Sequence, residues 1–169
     1  MKIQHSALPT PHSSLTPLDY AYRLLARRAY SKQELTDKLL AKGFTEAAVT
    51  RTVERLTAQG YLDDARLAAD QAERLRERGF GPEAIKAKLA QKGLSSETVG
   101  HIEALDHAAE EMEFARRLLA SRFSPDALKQ PQTYARAFRL LLRRGYAQEL
   151  IERVLGAAPS DTWKTEEEE

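Results

Sequence analysis

Cysteine is absent from this chain of 169 residues. That absence removes disulfides, thiolate catalysis and cysteine-held zinc from consideration. Long apolar runs are missing too: stretches such as Leu140-Leu141-Leu142 are far shorter than the roughly 20 residues a membrane-spanning helix needs. The opening residues, Met1 to Pro17, lack the apolar centre of a secretory signal. These gaps lead to the expectation of a cytoplasmic protein that does not enter a membrane. What remains is ordinary globular material, 42% hydrophobic and 30% charged, too apolar for general disorder.

Net charge is also small, +1, but it is unevenly placed. From Pro159 to Glu169 one lysine stands against five acids, a net −4, which leaves +5 for residues 1–158. A mildly basic body is compatible with an acidic partner without requiring one.

Residues 1–16 carry Pro9, Pro11, His5 and His12 among serines and threonines with no periodic apolar face, and read as a flexible arm. Beyond Pro17 the pattern turns helical, with Leu18, Ala21, Tyr22, Leu25 and Ala29 on one stripe. Ser31 with Glu34 forms a capping-box signature for a second helix, whose Leu35 and Leu39 face inward and whose end is Gly43. A third helix runs from near Thr45 to Gly60 with Val49, Val53 and Leu56 inward. The same plan then returns. Asp63 or Asp64 caps a helix bearing Ala68, Ala72 and Leu75, and Gly79 ends it. Gly81-Pro82 opens the next helix, with Ile85 and Leu89 inward and Gly93 at its end, before Ser95 or Ser96 caps another.

The return is an ungapped repeat. Leu25, Arg28, Lys38, Leu39, Lys42, Gly43 and Val49 match Leu75, Arg78, Lys88, Leu89, Lys92, Gly93 and Val99 at an offset of 50. Tyr30 and Phe80, Leu35 and Ile85, Phe44 and Leu94, Thr45 and Ser95 are similar pairs in the same register. A weaker third copy places Leu141, Arg144, Gly145, Tyr146 and Ile151 52 positions after Leu89, Lys92, Gly93, Leu94 and Val99. Upstream of it, Phe114, Leu118 and Leu119 form another helical stripe, and Ser124 to Gln132, with Pro125 and Pro131, reads as an inserted loop. The expected fold is all-α: three tandem three-helix, helix-turn-helix-like repeats in an elongated module, straight or curved. Its expected divisions are an arm at 1–16, repeats at 17–62, 63–106 and 107–158, and an acidic tail at 159–169. Single units of this size bury little, so neighbours should stack.

Catalysis requires a converging base, nucleophile or metal, and the sequence offers none. His5 and His12 lie in the arm, His101 and His107 are six residues apart, and no His-x3-His or His-Glu-x-x-His pairing occurs. Asp63-Asp64 reads as a helix cap with a first-turn acid in preference to a metal pair. Gly79-Phe80-Gly81-Pro82 lacks the preceding strand and the Lys-Ser/Thr of a phosphate loop. No enzyme activity, cofactor or metal is expected.

Basic residues are more informative. Lys38 and Lys42 lie four apart on one helix face, and Lys88 and Lys92 repeat them. Arg136, Arg139, Arg143 and Arg144 gather near the third copy, though Leu140 takes the slot of Lys88. With Arg27, Arg28, Arg74 and Arg78 they are the candidate partner-binding residues. The plain alternative is a solvated face with cations near helix C-termini, where the helix dipole favours them. Helices that would follow the turns of a DNA reader begin Thr45-Glu46, Ser95-Ser96-Glu97 and Ala147-Gln148-Glu149. Acids there would face phosphate, and no arginine stands ready for guanine, so base-specific reading is not expected.

Three stretches carry a resemblance. Gly60-Tyr61-Leu62-Asp63-Asp64-Ala65-Arg66-Leu67-Ala68, with Gly79-Phe80-Gly81-Pro82, Ile85, Leu89 and Lys92-Gly93-Leu94-Ser95, is similar to the central signature of the RecX family. Ser31-Lys32-Gln33-Glu34-Leu35 with Lys38-Leu39 resembles that family's first-repeat signature, and Leu140 to Tyr146 its third. The match runs from about Leu18 to Leu155; Leu67 departs from it, standing where the family often has phenylalanine. The resemblance implies tandem three-helix units that bind RecA and its filaments on single-stranded DNA, restraining strand exchange, ATP hydrolysis and coprotease activity. The alternative is a sequence-nonspecific DNA-binding protein acting directly; weak DNA binding fits both. A monomer is expected, because no long apolar face asks for a dimer.

Overall fold

The computed structural model describes residues 15–103 and 108–159; the arm up to residue 14 and the tail from 160 lie outside the described residues. Among the described residues every regular element is a helix. In order they are α1 (Pro17–Leu25), α2 (Lys32–Ala41), α3 (Glu46–Ala58), α4 (Asp64–Glu77), α5 (Pro82–Gln91), α6 (Ser96–Glu103), α7 (Ala108–Ala120), α8 (Pro125–Leu128), α9 (Pro131–Arg143) and α10 (Gln148–Leu155). None is long and apolar enough to cross a membrane.

Local chemistry sets the helix starts. The Thr16 hydroxyl accepts from the Asp19 amide while the Asp19 carboxylate accepts from the Thr16 amide, a capping box that opens α1. Asp63 caps α4 by accepting from the Arg66 amide at 2.9 Å, and Ser95 accepts from Thr98 before α6. Asp64, the neighbour of a cap, accepts from the Lys32 amide at 3.0 Å. The two aspartates thus have separate helix-terminal duties.

Ser124 to Gln132 is not a loop, contrary to the sequence expectation. Ser124 caps α8, and Pro125 and Pro131 stand at the first positions of α8 and α9. Proline there loses no hydrogen bond, because that amide has no intrahelical partner. The prolines that suggested an interruption are helix openers.

The chain divides into two compact units. The first comprises residues up to Tyr30 together with Glu34–Leu62. Its core is Ala21, Tyr30, Leu35, Leu39, Val49, Leu56 and Leu62, flanked by partly buried Leu18, Phe44 and Val53. The second comprises Ser31–Gln33 and the chain from Asp63 onward. It holds two clusters, one around Leu67, Ala68, Ala72, Leu75, Ile85, Leu89, Leu94 and Val99, the other around Ala115, Leu119, Ala137, Leu141, Tyr146 and Ile151. Equivalent repeat positions fill equivalent sites: Leu39, Leu89 and Leu141 are each buried to 1% exposure or less, as are Leu35 and Ala137, with Ile85 at 5%.

Within the second unit two turns meet backbone to backbone. The Gly81 amide donates to the Arg144 carbonyl at 2.8 Å, and the Glu83 amide to the Gly145 carbonyl at 3.2 Å. A β-carbon on Gly81 would stand 2.5 Å from the Gly145 oxygen, so only glycine permits this approach. The Ser31 hydroxyl, one repeat earlier than Gly81, likewise donates to the Lys92 carbonyl at 2.5 Å.

Tyr146 is 2% exposed, and its hydroxyl has no hydrogen-bond partner among the described residues. Burial, aided by the Glu111 charge and opposed by Arg144 and Arg117, pushes its pKa up to about 12. A raised folded value means the native state holds the proton longer than the unfolded chain. Stability is therefore intact below pH 10 and declines as pH rises from about 10 towards about 12. Tyr146→Phe is expected to remove this part of the alkaline loss. At pH 7 it should be neutral or stabilising by up to about 1 kcal/mol, since the hydroxyl's desolvation is uncompensated. Denaturant titrations of both proteins at pH 7 and pH 11 check this; a Phe variant less stable at pH 7 would count against it.

Candidate binding surface

Sequence reasoning singled out twelve cations, and the structure treats them differently. In the first unit Arg27 and Lys38 are exposed, and neither has a carboxylate partner among the described residues. Lys42 is exposed with its ammonium 5.8 Å from the Tyr20 ring centre. Arg28 is committed to its own fold. It forms a two-pronged pair with Glu34 at 3.0 and 3.2 Å, donates to the Ala29 carbonyl, and lies 3.7 Å over the Tyr30 ring. The Glu34 hydrogen bond raises the guanidinium's already high pKa, so Arg28 is permanently charged and locally neutralised.

In the second unit three of the twelve converge. Arg78, just past the end of α4, lies 5.6 Å from the Phe80 ring centre. Lys88 on α5 lies 4.6 Å from it, and Arg144, just past α9, lies 4.7 Å away. Arg144 also donates to the Arg78 carbonyl at 2.8 Å. None of the three has a carboxylate within 4.0 Å among the described residues. The ring's negative face tolerates the cations, and the carbonyl-rich ends of α4 and α9 favour them. The backbone junction between Gly81 and Gly145 sets Arg144 beside Phe80.

The remaining five are not drawn into this cluster. Arg74 is exposed on α4. Lys92 is half-buried, and its carbonyl is held by Ser31. Arg136, Arg139 and Arg143 form one exposed stripe on α9, opposite buried Tyr134, Ala137 and Leu141. All three of its charges are positive.

Phe80 itself was not selected as a functional residue from the sequence. A signal was present: Arg28-Ala29-Tyr30 and Arg78-Gly79-Phe80 repeat an arginine two residues before a ring at the offset of 50. Both arginines face those rings. Arg117 over Phe114, at 4.4 Å, is a further cation–ring pair outside the predicted set. Among the described residues no group of three or more histidines and acids is placed to hold a metal ion.

These features define a class: an all-helical protein of tandem three-helix units that sets positive charge against aromatic rings at its surface. Comparison with known proteins gives the family. Residues 18–56 match the first three-helix domain of RecX and residues 63–100 the second. A regulatory protein RecX of Stenotrophomonas maltophilia is 35% identical over 147 residues, 86% of this chain and 89% of that protein. One from Xanthomonas axonopodis pv. citri is 37% identical over 131 residues, covering 78% and 80%. The crystal structure of RecX from Lactobacillus salivarius shares the fold at a TM-score of 0.71 with 18% identity, over 82% of this chain and 92% of that one. The chain belongs to the RecX family of regulatory proteins.

Proposed function

We propose that this protein is a non-enzymatic, monomeric, cytoplasmic regulator that binds RecA and its filaments on single-stranded DNA and mostly inhibits their recombinase, ATPase and coprotease activities. Family membership supports RecA as the partner. The observation that carries the binding mode is the group Arg78, Lys88 and Arg144 around Phe80, three cations with no described carboxylate to neutralise them. Exposed Lys38 in the first unit and the α9 stripe in the second carry further positive charge. A filament repeats one surface along its length, and a chain of three repeats, 17–62, 63–106 and 107–158, can present several such contacts to acidic groups that recur on it. Each exposed contact contributes only about 0–1 kcal/mol, so affinity has to accumulate across repeats.

The test is ATP hydrolysis by the cognate RecA on single-stranded DNA, titrated with this protein, beside a binding assay on the same DNA without RecA. Inhibition is expected at protein concentrations well below those that coat bare DNA. Changing Lys38, Lys42, Lys88 and Lys92 together to glutamine should raise the half-inhibitory concentration about 30-fold, equivalent to about 2 kcal/mol. Unchanged inhibition by the folded quadruple variant would place the binding surface elsewhere. Inhibition only at DNA saturation, with steep salt dependence, would instead identify a direct DNA-binding competitor.

A further inference from the structure

The two copies of the arginine–ring motif differ in one respect that concerns charge. In the first copy Arg28 over Tyr30 is neutralised by Glu34, six residues later, through two hydrogen bonds. In the second copy the residue six after Arg78 is Ala84. Where the first copy brings a carboxylate to its cation, the second brings two further cations, Lys88 and Arg144, to the same ring. Three cations gathered at one ring offer an incoming carboxylate more than one partner. The repeat itself therefore names the missing chemistry: an acidic side chain, met at present by no described residue.

We infer that the acidic tail of this chain, Glu166 to Glu169, docks in cis on the Arg78, Lys88 and Arg144 cluster and competes there with acidic partners. Four consecutive glutamates are the longest acidic run in the sequence. Reach is sufficient. The Gly156 carbonyl accepts from the Tyr134 hydroxyl at 3.0 Å, which fixes the end of α10 beside the start of α9. From Tyr134 to Arg144 the helix rises about 15 Å. The seven steps from Pro159 to Glu166 span up to about 25 Å. A linker this short holds the acids at roughly millimolar effective concentration, where individually weak ion pairs become occupied.

The chain carries its own probe, because its single tryptophan, Trp163, stands three residues before the glutamates. The full-length protein, without any partner, is titrated with the neutral quencher acrylamide at low and high salt. Docking requires the Trp163 quenching constant to rise about twofold when salt goes from about 0.02 to 0.5 M, as the Debye length falls from about 20 to 4 Å. At low salt the same rise should follow from Lys88→Gln, and from changing Glu166 to Glu169 to glutamine, but not from Lys38→Gln. Lys88 is the variant of choice because its ammonium has no hydrogen bond among the described residues, whereas Arg144 also holds the Arg78 carbonyl. Equal quenching in every protein and salt overturns the inference. So does sensitivity to Lys38 in place of Lys88, or protection that fades on dilution, which would mean a tail from a second copy. The measurement contains no recombinase, so its failure leaves the proposed function standing, and the reverse also holds.

Discussion

Gly145→Ala is expected to destabilise the second unit by about 3 kcal/mol, one of the larger effects a single methyl can have. Two costs combine. Gly145 has φ +82°, a left-handed conformation that costs an L-residue about 1–2 kcal/mol. The new β-carbon would also stand 2.7 Å from the β-carbon of Ala84, against an ordinary carbon contact of about 3.5 Å or more. The strain cannot relax cheaply, because the opposing atoms are backbone and β-carbon and have no rotamer to change. Pushing the turns apart breaks the Gly81–Arg144 and Glu83–Gly145 hydrogen bonds and withdraws Arg144 from Phe80. The control is Gly43→Ala. Gly43 has φ +96°, but nothing lies within 4 Å of its added carbon, so only the conformational cost of about 1 kcal/mol remains. Denaturant unfolding, with amide exchange at Gly81 and Glu83, separates the two. Similar losses for both variants would show that the junction contributes nothing.

Leu141→Ala and Leu39→Ala should each cost about 3 kcal/mol, within the 2–5 kcal/mol range for a leucine truncated in a close-packed core. Both side chains are fully buried and occupy the same repeat position in different clusters. Leu141 belongs to the cluster of Ala115, Leu119, Ala137, Tyr146 and Ile151, with Leu118, Phe123 and Phe138 among the partly buried side chains packed on it. Leu39 belongs to the cluster with Ala21, Tyr30, Leu35, Val49 and Leu56, with partly buried Phe44 packed on it. The two losses are therefore expected to be similar. Leu142→Ala, next in sequence but 51% exposed, should change stability by less than about 0.5 kcal/mol. Hydrogen exchange in each unit reads the effects separately. An Leu141 variant as stable as the Leu142 one would refute the assigned helix face.

Much of the helical arrangement could be read from the chain because it rests on short-range causes. Leu35, Leu39, Ile85 and Leu89 recur at intervals of four, which only a helix turns into a single face. Gly43, Gly79, Gly93 and Gly145 all adopt positive φ where the periodic patterns stop. Ser124 to Gln132 misled for an equally local reason: proline is incompatible with a helix interior but favourable at its first position. Which applies depends on where the helix begins. Ser31 and Glu34 spell a capping box, and the fold also gives the two side chains partners that the local pattern does not announce, in Lys92 and Arg28. Arg74, Arg76 and Arg78 look alike in sequence. One is exposed, one is buried at 8% exposure beside Glu73 at 3.4 Å, and one faces Phe80.

Apart from α8 and the start of α9, the sequence by itself determined the helices, their ends, the repeat at an offset of 50 and most of the core, because each depends on neighbours within a turn or two. It also determined the excess of cations, which is a matter of composition. Only the tertiary structure decided which cations act together. Arg78 and Arg144 are 66 residues apart, and nothing in their local surroundings links them. They meet because Gly81 and Gly145 lack side chains and let two turns cross at hydrogen-bonding distance. Local periodicity can specify each helix, but the meeting of two loops depends on the shapes of both, and that becomes fixed only when the chain folds.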